Sequence, residues 1–190
     1  MDYVSLKRQA KAAMAGGWPM AIVATIIVLA ISCIAGWVVV GSLIVGGPLM
    51  YGFYAYIEKQ MDTRSDDLNL LFSGFKNRFL DTFLAGLVMQ ILVAVGFILL
   101  VVPGIILSCG LSMTYMIMLD NPQISGIDAL KASWEMMKGH KWEYFVLGLS
   151  FLGWLLLCVI TLGLASFYVI PYIYATNVAY YRRISAGYKG

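Results

Sequence analysis

The chain has 190 residues, 61% of them hydrophobic and only 12% charged, against about 25% charged in a typical soluble domain. That composition excludes a water-soluble globular domain and places the chain in a bilayer. The net charge of +3 is small, and its basic residues are scattered and mixed with acids, which leaves no nucleic-acid footprint.

The first segment, 1–17, places Leu6, Ala10, Ala13 and Met14 on one helical face and Lys7, Arg8 and Lys11 on the other. The apolar run after it lacks a small-x-small cleavage site, so a retained first span is expected rather than a removed signal peptide. From Trp18 to Ile57 there is no charged residue. About 40 residues make two crossings of a hydrocarbon core that needs about 20 each. The expected turn lies at Gly41 and Gly46-Gly47-Pro48, the Gly and Pro punctuation of the run.

A polar stretch from Glu58 to Arg78 follows, in which Leu68, Leu71, Phe72 and Phe75 come after Ser65-Asp66-Asp67 as a short amphipathic segment. The second apolar run, Phe79 to Leu119, is expected to break at Pro103-Gly104. Between Asp120 and Lys141, Ser125-Gly126-Ile127-Asp128 has the form of a capping box. It opens a helix with Ile127, Leu130, Trp134 and Met137 on one face and Asp128, Lys131, Glu135 and Lys138 on the other. The third apolar run, Trp142 to Tyr181, breaks at Leu162-Gly163.

All 13 Lys and Arg fall in the polar segments or at their borders. With an even number of spans these segments share one side, and the positive-inside rule makes it the cytoplasmic side. The expectation is an all-α polytopic membrane protein with six transmembrane helices as three hairpins, cytoplasmic interfacial amphipathic helices and both termini cytoplasmic. It forms a single membrane domain over 1–190. The pairs Gly16 with Trp18, Gly74 with Phe79 and Gly139 with Trp142 recur at intervals of roughly 60 residues, suggesting internal repeats 1–57, 58–119 and 120–181.

No ionisable residue lies in the interior of an apolar run, which argues against proton- or sodium-coupled pumping. Cys33, Cys109 and Cys158 have no Cys-x-x-Cys spacing, the Met113, Met116, Met118 group has no paired ligand motif, and His140 is the single histidine. No metal or cofactor is therefore expected. The chain has no nucleophile elbow, phosphate-cradling loop or His-Glu-x-x-His, so it is not expected to be an enzyme.

Gln90, Thr176 and Asn177 are the strongest polar residues in the apolar runs; bonding between helices is their ordinary use. The last span, with Tyr168, Pro171, Tyr172, Tyr174, Tyr180 and Tyr181, combines hydroxyls with a proline that frees a backbone carbonyl. Candidate substrate or lipid contacts are Gln90, Gly139, His140, Lys141, Pro171, Tyr172, Thr176 and Asn177. Ile127, Leu130, Trp134 and Met137 form a candidate partner surface. Two functional readings follow: handling or transport of a lipid, peptide or other amphipathic molecule, or a non-transporting scaffold or immunity-type protein that binds a partner protein. The sequence specifies neither ligand nor oligomeric state.

Met137-Lys138-Gly139-His140-Lys141, Leu149-Ser150-Phe151, Gly153-Trp154, Thr161-Leu162-Gly163 and Pro171-Tyr172 together resemble an uncharacterised family of bacterial integral membrane proteins, the domain of unknown function nine-seven-five. Leu71-Phe72-Ser73-Gly74-Phe75 and Pro103-Gly104 resemble its earlier landmarks, and Tyr180-Tyr181 stands where the family tends to have Phe-Tyr. The family is distantly similar to the membrane domain of some glycerophosphodiester phosphodiesterases, which implies a lipid-facing module without chemistry of its own. The resemblance implies a bacterial cytoplasmic membrane and carries over no catalytic residue.

Overall fold

The computed structural model describes residues 3–14, 17–36, 39–63, 67–76 and 78–187, and their regular structure is entirely helical. In chain order the elements are α1 (Tyr3–Ala13), α2 (Trp18–Gly36), α3 (Val39–Thr63), a 3-10 turn (Leu68–Phe72) leading into α4 (Ser73–Lys76), α5 (Phe79–Leu99), α6 (Val101–Leu111), α7 (Thr114–Asp120), α8 (Gly126–Met136), α9 (Lys141–Leu149), α10 (Leu152–Ile160) and α11 (Ser166–Ser185). The fold is all-α, as the hydropathy pattern implies. Gly16, Arg64, Ser65, Asp66 and Lys189 lie outside the described residues, as do the side chains of Ala13 and Cys33.

Among the described residues three helical stretches are long and apolar enough to cross a membrane: Phe79–Leu99, Val101–Asp120 and Lys141–Ile160. The first and third leave most of their surface outside the protein core. The exposed apolar side chains concentrate at two tips, Phe97 to Val102 between α5 and α6 and Val159 to Leu164 between α10 and α11. Apolar surface of this extent is unfavourable in water and costs nothing in lipid. The protein is membrane-associated.

Two of the expected turns move. Gly41, Gly46, Gly47 and Pro48 lie within α3, so the first apolar run divides ahead of Val39 instead. The second run divides at the extended residue Leu100, which puts Pro103 in the first turn of α6, where a missing N–H costs little. The third run divides where expected, with Leu162 and Gly163 both at positive φ, 51° and 89°.

Glycines set the helix crossings. Gly47 of α3 meets Gly86 of α5 so closely that a Cβ on Gly86 would lie 2.6 Å from the Gly47 Cα. Gly126, at the start of α8, rests on the backbone of α5 at Asp81. The ends of α3, α7 and α11 and the start of α5 form a charged end to the bundle. There Arg182 pairs with Asp62 (2.5 Å) and Glu58 (3.3 Å), and the Tyr181 hydroxyl donates to Asp120 (2.5 Å). Arg78 donates to the carbonyls of Met118 (3.0 Å) and Ile124, tying α5 to the loop after α7.

The amphipathic helices are wedged into the bundle rather than laid over it. Leu6, Ala10 and Met14 of the first segment are buried, as expected, and α1 packs on α11. Ser125 caps α8, accepting from the Asp128 N–H at 3.2 Å while its hydroxyl meets the Asp128 carboxylate. The buried face of α8 is Gly126, Ala129, Leu130, Ser133 and Met136. That face is rotated from the one read in the sequence because its small residues allow close approach to α5, and Ile127 is left exposed.

Both of these helices reach a break in an apolar stretch. Between α6 and α7 the Met113 N–H has no helical partner and donates instead to the Ser133 hydroxyl (3.2 Å), which donates to the Gly110 carbonyl (2.9 Å). Between α9 and α10 the Lys7 ammonium donates to the Ser150 carbonyl (3.1 Å) and lies over the Phe151 ring. Partial burial there lowers the Lys7 pKa from its ordinary value.

Candidate functional site

A cavity of about 470 Å³, open on one side, lies between α3, α5, α6, α7 and α11. Each helix contributes from a different part of the chain: Met50 and Tyr54 from α3, Met89 and Gln90 from α5, Ser108 from α6, Tyr115 from α7 and Tyr174 from α11. No lining residue carries a formal charge. Gly46 belongs to the same wall, and a Cβ there would stand 3.4 Å from the Gln90 amide nitrogen, in van der Waals contact.

The tyrosines form one layer. The Tyr54 ring lies 4.8 Å from Tyr174 and 6.3 Å from Tyr115, centroid to centroid, and Phe53 closes on Tyr174 edge-on. The Tyr174 hydroxyl donates to the Met50 sulfur at 3.0 Å, and Tyr54 is within hydrogen-bonding reach of Asn177. Ser108 and Ser112 donate back to the carbonyls of Ile105 and Cys109. Among the described residues the half-buried amide of Gln90 makes no hydrogen bond to the protein. An amide left without partners in apolar surroundings costs several kcal/mol by transfer measures, at roughly 2–7. The cavity can therefore receive a molecule that is mostly apolar, uncharged, and able to exchange hydrogen bonds with an amide and phenols.

The other residues singled out in the sequence are placed elsewhere. Pro171 and Tyr172 face away from the cavity; Tyr172 packs in an aromatic group with Trp18, Phe151, Trp154 and Tyr168. Thr176 is fully buried and donates to the Tyr172 carbonyl. Gly139, at φ 82°, makes the turn between α8 and α9. His140 lies at the charged end with Nδ1 3.1 Å from Glu143, and its carbonyl accepts from Tyr180. Lys141 sits over the Trp134 ring. On the face considered for a partner, Leu130 and Met137 are buried and Trp134 is partly covered, so Ile127 alone is exposed. Gln90 is thus joined by Tyr174, one of the last-span tyrosines read in the sequence, by Ser108, and by Tyr54 and Tyr115, which a reading helix by helix does not single out.

Fold and cavity together define an all-α, membrane-associated protein with an uncharged site between its helices. The landmarks that carried the resemblance from Pro103-Gly104 to Pro171-Tyr172 fall in one continuous region. A family model described as "Protein of unknown function (DUF975)" matches that region, residues 87–187, more than half of the chain, and the chain belongs to this family. No curated protein and no solved structure matches it.

Proposed function

We propose that this is a six-span protein of a bacterial cytoplasmic membrane that holds a neutral amphipathic molecule, most simply a lipid with an uncharged hydroxylated head, in the cavity beside Gln90. The observation that carries the reading is the Gln90 amide, unpartnered in the protein and facing a cavity otherwise walled by Met, Val, Ser and Tyr. The protein binds its ligand rather than transforming it: the cavity presents hydrogen-bonding groups but no nucleophile paired with a base.

Native mass spectrometry of the protein extracted gently in its own lipids tests this directly. A neutral lipid retained in fixed ratio by the wild type and lost from Gln90→Leu, a substitution of similar volume, is the expected result. An unchanged lipid complement in Gln90→Leu would discard the proposal.

A further inference from the structure

The cavity beside Gln90 holds a second polar group without a partner. Tyr115 is only 4% exposed and lines the cavity from α7. Among the described residues its hydroxyl makes no hydrogen bond, whereas the Tyr174 hydroxyl is taken by the Met50 sulfur and Tyr54 has Asn177 within reach. A buried hydroxyl left in this way calls for a partner. Its place is marked by Gly86, where a Cβ would lie 3.1 Å from the Tyr115 oxygen. Gly86 and Gln90 are four residues apart on α5, on one face and separated by about 6 Å of helix rise. The phenol and the amide therefore face the cavity about one helical turn apart along α5.

Depth narrows the ligand further. Gln90 lies eleven residues beyond Phe79 and nine before Leu99, about 16 Å and 14 Å along α5. This helix has the length and hydropathy of a span, and a hydrocarbon core is about 30 Å thick, so the amide stands near the middle of the bilayer. A glycerolipid head belongs at the interface and would have to be drawn down about 15 Å to reach it. An uncharged ring on an apolar tail is at home at that depth. The rings of Tyr54, Tyr115 and Tyr174 supply a wall against which a flat ring stacks. Water satisfies an amide or a phenol but gains nothing from such a wall.

We propose that the cavity binds the head of a lipid-soluble para-quinone, with one ring oxygen on the Gln90 amide, the other on the Tyr115 hydroxyl and the ring against the tyrosines. The two oxygens stand at opposite ends of the ring, a separation close to one helical turn of about 5.4 Å. Both accept, and the amide N–H and the phenol O–H both donate. The volume of about 470 Å³ takes a head of one or two fused rings, and the open side lets the tail leave. This assignment rests on the reading of the cavity as a site for a neutral amphiphile and gives the head a particular chemistry; the reduced quinol is itself a hydroxylated head.

The test loads the full chain in phosphatidylcholine nanodiscs with equal amounts of phylloquinone, phytol and dioleoylglycerol, and native mass spectrometry reads what is retained after mild stripping. Phylloquinone and phytol carry the same tail, so the head alone separates them. The wild type should keep one phylloquinone in preference to both alcohols. Tyr115→Phe, which keeps the aromatic wall and removes the hydroxyl, should retain about fivefold less, as for the loss of one hydrogen bond, and so should Gln90→Leu. Equal retention of phytol and phylloquinone by the wild type, or undiminished phylloquinone in Tyr115→Phe, would overturn the assignment. Phytol or dioleoylglycerol retained in its place and lost from Gln90→Leu would sink the quinone while the neutral-lipid reading stands. Retention of none of the three would sink both.

Discussion

Gly47 and Gly86 meet where α3 crosses α5, and a Cβ on Gly47 would collide with the Thr82 carbonyl oxygen. Backbone cannot yield as a flexible side chain does, so Gly47→Ala should lower the melting temperature in detergent, at a cost of about 1–3 kcal/mol. Gly148 faces open space within α9, and Gly148→Ala should be neutral or slightly stabilising. If both variants melt alike, the crossing is not as tight as described. A second prediction concerns Glu58, whose carboxyl is pushed above its ordinary pKa by burial, with Arg182 opposing the shift. A carboxyl raised in this way holds its proton better folded than unfolded, so its contribution to stability falls as pH rises from about 4.3 through the folded value. Arg182→Gln removes the opposing cation and should steepen that loss, while adding Glu58→Gln should flatten it again. Melting temperature against pH checks both. At this scale the sequence was readable only one residue at a time. Gln90 announces itself as an amide in an apolar run, but Tyr54 and Tyr115 look like ordinary span aromatics until α3 and α7 bring them to it.

At the scale of the element, composition and period located the helices well and their interruptions poorly. The first apolar run is long enough for two helices, but length does not say where it divides. Gly47 is used for close approach to Gly86 rather than for turning, and that use depends on a neighbouring helix. The division of Val101–Asp120 at Ser112 and Met113 is equally hidden, because its partner Ser133 lies on α8 and was not among the residues singled out. Ser133→Ala should cost about 1–3 kcal/mol, since it strands a buried N–H and reduces the partners of a carbonyl. Hydrogen exchange should quicken at the Met113 amide while that of α5 stays as in the wild type. Unchanged exchange at Met113 would mean that the break is held by something else. Lys7 does for α9 and α10 what Ser133 does for α6 and α7, so in each case a wedged amphipathic helix closes a gap that an isolated span would leave open.

For the whole molecule, the charged end gathers Arg182, Glu58, Asp62, Asp120 and Arg78, and the tips between α5 and α6 and between α10 and α11 lie away from it. In intact cells an impermeant maleimide should label Leu162→Cys and spare Asn69→Cys, with the reverse in inside-out vesicles. Labelling of both from one side would overturn the orientation expected from the positive-inside rule. The tips have a consequence for how such a chain is made. From Phe97 to Gly104 and from Val159 to Leu164 there is no charged residue, and Thr161 is the single polar side chain. Its hydroxyl is already committed to the Leu157 carbonyl. Each hairpin can therefore enter the bilayer as a unit without drawing a charge across, at a gain of about 0.3–0.6 kcal/mol for each central Leu, Ile, Phe or Val. For these two hairpins assembly should proceed equally well in energised and de-energised membranes, because the membrane potential has no charge in either tip on which to act.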